Sequence, residues 1–333
     1  VNDTGPTLVT GATGFVGSAV ARALLAKGHT LRLLVRPGGN RANIAGLPAE
    51  LAEGDLKDPA SLQRAAAGCR YVVHVAADYR LWVPDPDAMN RANVEGTRAL
   101  LLAAQAAGAE RIVYCSSVAA LGLIGDGTPA DETTPNQLDK VIGTYKRSKY
   151  LAEQAVLALV RDHRVPAVIV NPTAPVGPRD IKPTPTGKMI ADAAAGRMPA
   201  YVDTGLNVAH VDDVAAGHVL ALERGQVGEV YILGGEDLSM AALLALVAEL
   251  SGRPAPKIRL PHAALYPVAL ACEALARFGV EPIVTRDVLA MARKKMFFSS
   301  AKARAALGYT ARPAREAVAD AIAWFRAEGR VPQ

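Results

Sequence analysis

Cysteine is scarce in this chain: there are three in 333 residues, and no two form a C-x-x-C pair. Cys69, Cys115 and Cys272 each sit among apolar neighbours. That pattern argues for buried thiols in a reducing compartment and against a disulfide framework or a zinc site. No metal ligand set is expected. Aromatic residues are few as well, at 5%. Lys and Arg are scattered and form no basic block, so the formal charge of +5 and pI near 9.1 suit an anionic small ligand and give no footing for nucleic acid. No apolar run reaches the ~18 residues a spanning helix needs. No basic start leads into an apolar core and a small-residue cleavage site. The expectation is a cytoplasmic protein.

Apolar residues, at 50%, are plentiful enough for a large core. From residue 7 to about 175, short β-branched runs alternate with longer helical patterns. The runs are "TLVTGA", "TLRLLVR", "YVVHVAA", "RIVYCSS" and "AVIVNPT"; helices are expected from Val16 to Gly28, through "NRANVEGTRALLLAAQAAG" and from about Tyr145. The rhythm predicts a parallel sheet covered on both faces, and the continuously apolar runs are what such a sheet requires. After "NPTAPVGPRDIKPTPTG", dense in Pro and Gly, it breaks. Beyond lie expected helices near 187–197, 211–224, 239–252, 261–279 and 313–328, with a strand pair formed by "LNVAHV" and "EVYILGG".

Within "LVTGATGFVG" three glycines, Gly11, Gly14 and Gly17, fall between the first strand and the first helix. There the backbone amides and the helix start attract a pyrophosphate, and bare backbone lets it approach. Thr13, Phe15 and Val16 belong to the same loop. The fold class that follows is α/β: a Rossmann-type doubly wound parallel sheet with a smaller α+β C-terminal substrate domain. Residues 1–178 are assigned to dinucleotide binding and 179–333 mainly to substrate, with later elements free to return to the first domain. An NAD site would carry an acid at the end of the second strand, yet that strand ends in "LLVRPGGNR". Arg36, with Arg41 as help, instead suits the 2′-phosphate of NADP; NAD is the alternative. Asp55 and Leu56 in "GDL" are placed against the adenine, with a turn-forming Asp as the plainer reading. Ala76 and Ala77 end the fourth strand with side chains small enough for a cofactor to lie against. Pro172 completes the cofactor set. His74 reads as a core histidine.

"CSSVAALG" ends the fifth predicted strand, and "TYKRSKYLAE" opens a long helix. Tyr145 and Lys149, at i and i+4, share a helix face, where the ammonium is expected to lower the phenol's pKa. The phenol then exchanges a proton with a carbinol or carbonyl oxygen that Ser117 also holds, while a nicotinamide exchanges hydride. Tyr145 and Lys149 also serve the cofactor. Asp78, Asn171, Arg179 and Tyr266 are the candidate substrate contacts.

The strings "TGATGFVG", "GDL", "HVAA", "NVEGT", "SS" and "YKRSK" resemble the extended short-chain dehydrogenase/reductase superfamily over essentially the whole chain. "HVAADYRLW", "GDGTPADETTP", "GPRDIKPTPTG", "AYVDTGLNVAHVDDVA" and "ARKKMFFSSAKA" are similar to the hopanoid-associated sugar epimerase family, relatives of dihydroflavonol reductases. The resemblance implies Ser117, Tyr145 and Lys149 as the catalytic triad, Asn93 as a support of the site, and a polyol or sugar of a hopanoid lipid as substrate. Two departures narrow this. Val118 and Ala119 stand where nucleotide-sugar dehydratases carry Asp and Glu, which argues against dehydration. Val168 and Val176 stand where nucleotide-sugar enzymes carry Arg and Tyr, although Asn171 is kept.

"ALYPVALACEALARF", residues 264–278, carries only Glu273 and Arg277 as charges. A packing helix or a homodimer interface is the expectation; the alternative is a wall for a lipid-linked substrate near Tyr266 and Leu270, or peripheral contact with a membrane. The functional expectation is thus an NADP-dependent epimerase, or alternatively a dihydroflavonol-reductase-like ketone or aldehyde reductase. A non-catalytic NADP sensor or scaffold is the contrasting class, and it would typically have lost Tyr145 or Lys149.

Overall fold

The computed structural model describes residues 5–332, apart from 81, 84, 125, 277–281 and 283. Its first half runs β1 (Thr7–Thr10), α1 (Phe15–Ala26), β2 (Leu31–Val35), β3 (Ala49–Glu53), α2 (Pro59–Ala66), β4 (Tyr71–His74), α3 (Pro86–Asn90), α4 (Gly96–Ala106), β5 (Arg111–Cys115), α5 (Thr144–His163) and β6 (Ala167–Pro172). The chain continues through β7 (Ala174–Val176), α6 (Pro185–Ala194), β8 (Ala200–Val202), β9 (Gly205–His210), α7 (Val211–Arg224), β10 (Val230–Leu233), β11 (Glu236–Ser239) and α8 (Met240–Ser251). It closes with β12 (Ile258–Leu260), α9 (His262–Ala276), α10 (Arg286–Ala292), β13 (Lys295–Met296), α11 (Ala301–Leu307) and α12 (Ala314–Ala327).

Seven strands form one parallel sheet in the order β10-β6-β5-β4-β1-β2-β3. Leu8, Val9, Val72, Val73, Ile112, Val113, Val168 and Ile169 are all fully buried, because helices cover both faces. One core joins α1, α7 and α11 on one face. The other joins α2, α4 and α5. Strand order reverses between β1 and β4, so the loop after β1 opens into the crevice where such sheets bind ligands.

A second, smaller assembly gathers β7, β9, β11 and β13, with α6, α8 and α12 packed around a separate core. The expected strand pair does not form. "LNVAHV" lies in β9, between β11 and β13, whereas "EVYILGG" contributes β10, which joins the large sheet beside β6. Alternating apolar residues license a strand but do not choose its neighbour; here α7 carries the chain back across the large sheet, packing on α1.

Two helices also differ from expectation. The single helix read from "NRANVEGTRALLLAAQAAG" is broken: α3 passes into a π-turn over Arg91–Glu95 before α4 begins. Such bulges rotate a side chain out of register, and this one holds Asn93 in the interior, 2% exposed. Helix α9, expected to be a packing helix or a homodimer interface, buries only Ala269 within the chain and so is not a packing helix. Tyr266, Val268, Leu270 and Leu275 are 44–52% exposed. Its expected continuation through Arg277 and Phe278 lies outside the described residues. Cys272, on this helix, is correspondingly only half-buried, while Cys69 and Cys115 are buried; all three are free thiols.

Candidate active site

The glycine loop is built by close approach. A Cβ at Gly11, whose φ is +73°, would meet the Ala76 amide at 2.6 Å, and one at Gly17 would meet the Gly11 carbonyl at 2.1 Å. These two positions press strand against helix and tolerate no side chain. Gly14 differs: it is exposed, and its Cβ would make a single tight contact, 3.2 Å from the Gly11 carbonyl. Helix α1 begins there with no side-chain cap and no acid in its first turn. Its first amides, at Phe15 and Val16, are thus left for a ligand, and Thr13 is partly exposed beside them. Ala76 and Ala77, partly exposed after β4, adjoin the loop, and the Ala76 amide donates to Thr10 Oγ1 at 3.2 Å. An uncapped helix start, an exposed glycine and a small-residue wall fit a dinucleotide.

The surroundings sort the remaining cofactor candidates. Arg36 is exposed at the end of β2. Arg41 is spoken for by Glu53, 2.7 Å away. One Asp55 carboxylate oxygen accepts from the Lys57 amide at 2.9 Å, a turn-forming contact. Leu56 packs against Gly96, where a Cβ would come within 2.8 Å of it. Pro172, buried, ends β6.

Behind the loop runs a polar chain through the sheet. His74, fully buried, bonds Thr10 Oγ1 at 2.7 Å and Thr97 Oγ1 at 2.9 Å. Burial drives its pKa down to about 3, so the ring is neutral and structural. Its ring lies 5.6 Å from Tyr114, and the Lys149 ammonium sits 5.0 Å above the Tyr114 ring on the way to the catalytic end. Asn93 clamps the same region: its amide donates to Ser148 Oγ at 3.0 Å and to the Asp78 carbonyl at 2.9 Å, while its oxygen accepts from the Asp78 amide at 2.7 Å. The loop after β4 is thereby tied to α5.

Ser117 leaves the end of β5 in extended conformation and Tyr145 stands in the first turn of α5, after Gly143 at φ +88°. The phenol lies near enough to the Ser117 hydroxyl for the two to interact. Lys149, one turn on and 3% exposed, donates to the Cys115 carbonyl at 2.9 Å and to Tyr114 Oη at 3.4 Å. Ser117, Tyr145 and Lys149 therefore meet where β5 ends. The expected electrostatics do not hold, however. Part of the Tyr145 surface reaches solvent, yet the protein atoms packed around its ring desolvate the phenol and push its pKa up to about 12; the Ser117 hydroxyl pulls the other way. The ammonium is turned toward Cys115 and does not lower it.

The sequence reading missed Glu153, one further turn along α5 and 3% exposed. Burial raises its carboxyl pKa, opposed by contacts with Ser116 and Asn171 and by the Lys149 charge. Its signal was in view, since Tyr145, Lys149 and Glu153 repeat at four-residue spacing. Asn171, fully buried, donates to Glu153 Oε2 at 2.9 Å and to the Ser117 carbonyl at 3.1 Å, placing it behind Ser117. Arg179, at φ +75°, is engaged by Asp212, and its carbonyl shares Asn43 with the Thr13 carbonyl of the glycine loop. Asp78 binds Arg80 at 2.5 Å, and the Tyr266 hydroxyl contacts Arg286 on the outer side of α9. Val168 and Val176 are core residues, 0% and 1% exposed.

A glycine loop at the sheet's reversal point, with a Ser-Tyr-Lys group at the end of β5, defines a nicotinamide-dinucleotide-dependent enzyme of the short-chain dehydrogenase/reductase class. The model of the NAD dependent epimerase/dehydratase family matches residues 7–234, and the chain belongs to that family. It is 45% identical to a dihydroflavonol 4-reductase-like protein of Synechocystis sp. over 330 residues, covering 97% of this chain and 95% of that one. It is 35% identical to sterol demethylase protein B of Methylococcus capsulatus, covering 98% and 99%. The crystal structure of gox2253 superposes with a TM-score of 0.89 at 65% identity, over 98% of this chain and 99% of that one.

Proposed function

We propose that the protein is an NADP(H)-dependent oxidoreductase that interconverts a ketone and a carbinol on a bulky apolar substrate, running chiefly as a reductase. The observation that carries this reading is the meeting of Tyr145 and Ser117 at the end of β5, with Lys149 buried one turn behind. When bound, the nicotinamide supplies or accepts the hydride. Tyr145 donates its proton to the carbonyl oxygen, and Ser117 fixes that oxygen by a second hydrogen bond. A phenol near 12 is protonated at neutral pH, which suits the donor's role in reduction. Lys149 holds the Cys115 carbonyl at the end of β5 and keeps positive charge beside the site.

The buried Val168 and Val176 leave no arginine or tyrosine for a nucleotide sugar at those two positions. The names of the reductase-like and sterol-demethylating relatives support a polycyclic ketone or alcohol. A polyol or sugar carried on a hopanoid lipid is the substrate that the family resemblance implies, with epimerisation as the outcome if the ketone is reduced on its opposite face. The exposed apolar row on α9 supports contact with such a lipid, a membrane surface or a second copy of the chain. The test is incubation with NADP(H) and a lipid extract, read by mass spectrometry. A gain or loss of two mass units establishes reduction or oxidation, and a chromatographically distinct isomer establishes epimerisation. No change in any lipid, with turnover of a water-soluble sugar, overturns the apolar substrate. For the cofactor, Arg36→Ala is expected to remove about a tenfold preference for NADPH over NADH, since a charge-assisted contact is lost. Equal affinities before mutation would refute Arg36's role.

A further inference from the structure

Net charge is concentrated in one part of this chain. From Arg253 to Lys295 the described residues hold seven basic side chains against two acidic ones, Glu273 and Asp287. That surplus of five equals the formal net charge of the whole chain. Both acids are turned to other neighbours. Glu273 accepts from the Arg286 amide and from its Nε, each at 2.7 Å. Asp287, in the first turn of α10, faces Gly143, whose Cβ would come 3.8 Å from its carboxylate. Lys257, Arg293, Lys294 and Lys295 are exposed and, among the described residues, none forms an ion pair.

Part of this charge gathers at the start of α9. His262, its first residue, meets the carbonyl of Ala292, the last residue of α10, at 3.2 Å. A cavity of about 400 Å³ opens there, lined by Arg259, Arg293, Lys295 and His262, with Asp203 as its one acid, paired to Arg259 at 3.3 Å. Three permanent cations thus stand against one carboxylate. From this hollow α9 runs for 15 residues, about 22 Å at helical rise. Nine of them are exposed, from Ala263 to Leu275, and none of the nine is charged. Pro267 also denies the Ala263 carbonyl its helical donor. Wet headgroups can satisfy that acceptor, whereas a dry protein interface would leave it unpaired.

An uncharged helix face that begins at a cationic hollow matches the two layers of an anionic bilayer surface. Among the described residues no helix is long and apolar enough to cross a membrane, so the contact is one of lying on it. A second copy of the chain fits less well, because two-fold pairing through α9 sets two basic flanks side by side.

We propose that α9 and the hollow at its start dock on a bilayer containing anionic lipid, with α9 at the level of the headgroups and a lipid phosphate in the hollow. The proposal deepens the reading of an apolar substrate, which such a bilayer would deliver, but its test needs no turnover. The full chain is sedimented with vesicles of phosphatidylcholine, alone or with one third phosphatidylglycerol. The anionic vesicles are expected to bind at least about tenfold more tightly, since each basic side chain near the surface is worth about fivefold. Added salt should erode that preference. Arg293→Ala with Lys295→Ala should remove most of it, while Val268→Ser with Leu270→Ser should weaken binding to both kinds of vesicle. All four positions are exposed, so unchanged melting curves are expected to show that the fold is kept. Lys27→Ala with Lys57→Ala, an equal loss of charge at exposed sites on the large-sheet side, should stay within roughly twofold of wild type. Equal binding to both vesicles, binding to neither, or an equal loss in the Lys27 and Lys57 variant would overturn the proposal. So would a dimer, seen by light scattering, that the α9 substitutions dissolve while vesicle binding is unchanged. None of these outcomes bears on the substrate, which the lipid-extract assay judges by its product.

Discussion

Helices α5 and α9 invert one another. α5 is polar in composition yet buries Lys149 and Glu153 at 3% exposure each, whereas the apolar α9 leaves Tyr266, Val268, Leu270 and Leu275 between 44% and 52% exposed. The first spends stability on chemistry, since buried charge is costly unless every donor and acceptor is met. Lys149 is met by Cys115 and Tyr114, and Glu153 by Asn171. The second leaves apolar side chains exposed on the monomer, where they gain nothing from burial. Composition predicts neither; position against the sheet decides both.

The largest expected effect comes from breaking the α5 side. Tyr145→Phe removes the proton donor and should lower turnover by about 10²–10⁴-fold. NADPH affinity, measured by fluorescence, should stay within roughly twofold, because the glycine loop is untouched. Undiminished turnover would remove Tyr145 from the mechanism.

Lys149→Met comes next. It strips the Cys115 carbonyl of its donor and the Glu153 carboxyl of its nearby positive charge, for an expected loss of about 1–3 kcal/mol in denaturant unfolding. Adding Glu153→Gln should recover part of that loss, since the buried carboxyl no longer has to ionise without a cation. If the two substitutions simply add, the buried charges of α5 are independent of one another.

Lys146 sharpens the comparison through pH. Its folded pKa of about 8 lies below the ordinary 10.5, so holding the proton costs the folded state. Relative to Lys146→Met, the wild type should therefore be handicapped below about pH 8 and should recover as pH rises toward 10.5. Parallel melting curves across that window give the sign directly. A constant difference would mean that Lys146 is solvated like a surface lysine.

The smallest effect belongs to α9. Leu270→Ser should change stability by no more than about 0.5 kcal/mol, as expected for an exposed position. It should nonetheless weaken co-sedimentation with lipid vesicles, or lower the dimer fraction, if the apolar row is a contact surface. A stability loss of several kcal/mol would instead show that the row is covered within the monomer.

The grouping of Ser117, Tyr145 and Lys149 at the end of β5 was legible in the sequence. Tyr145 and Lys149 announced themselves by four-residue spacing, and Ser117 by its place at the end of an apolar run. Glu153 stands in the same spacing, but nothing in the sequence marks it as buried, since a charge on a helix ordinarily faces water. Arg179 looked free in its Pro- and Gly-rich loop, but its partner Asp212 comes from α7, after the intervening β8–β9 segment. The phenol's pKa runs against expectation chiefly because its ring is desolvated by the atoms packed around it, which helical spacing does not reveal; Lys149 is meanwhile turned to the Cys115 carbonyl.

By itself, then, the sequence determined the alternating strands and helices of the large sheet, the bare loop after β1 and the four-residue spacing that sets Tyr145 and Lys149 on one face of α5. These are local matters, set by hydrophobic period, by glycine's missing Cβ and by helical spacing. Only the tertiary structure decided that β10 joins β6, that a π-turn swings Asn93 inward, that α9 is exposed and that Glu153 is buried against Asn171. Each of those depends on which distant segment arrives beside it, and contacts between distant segments are fixed by the packing of the whole chain, which no short window contains.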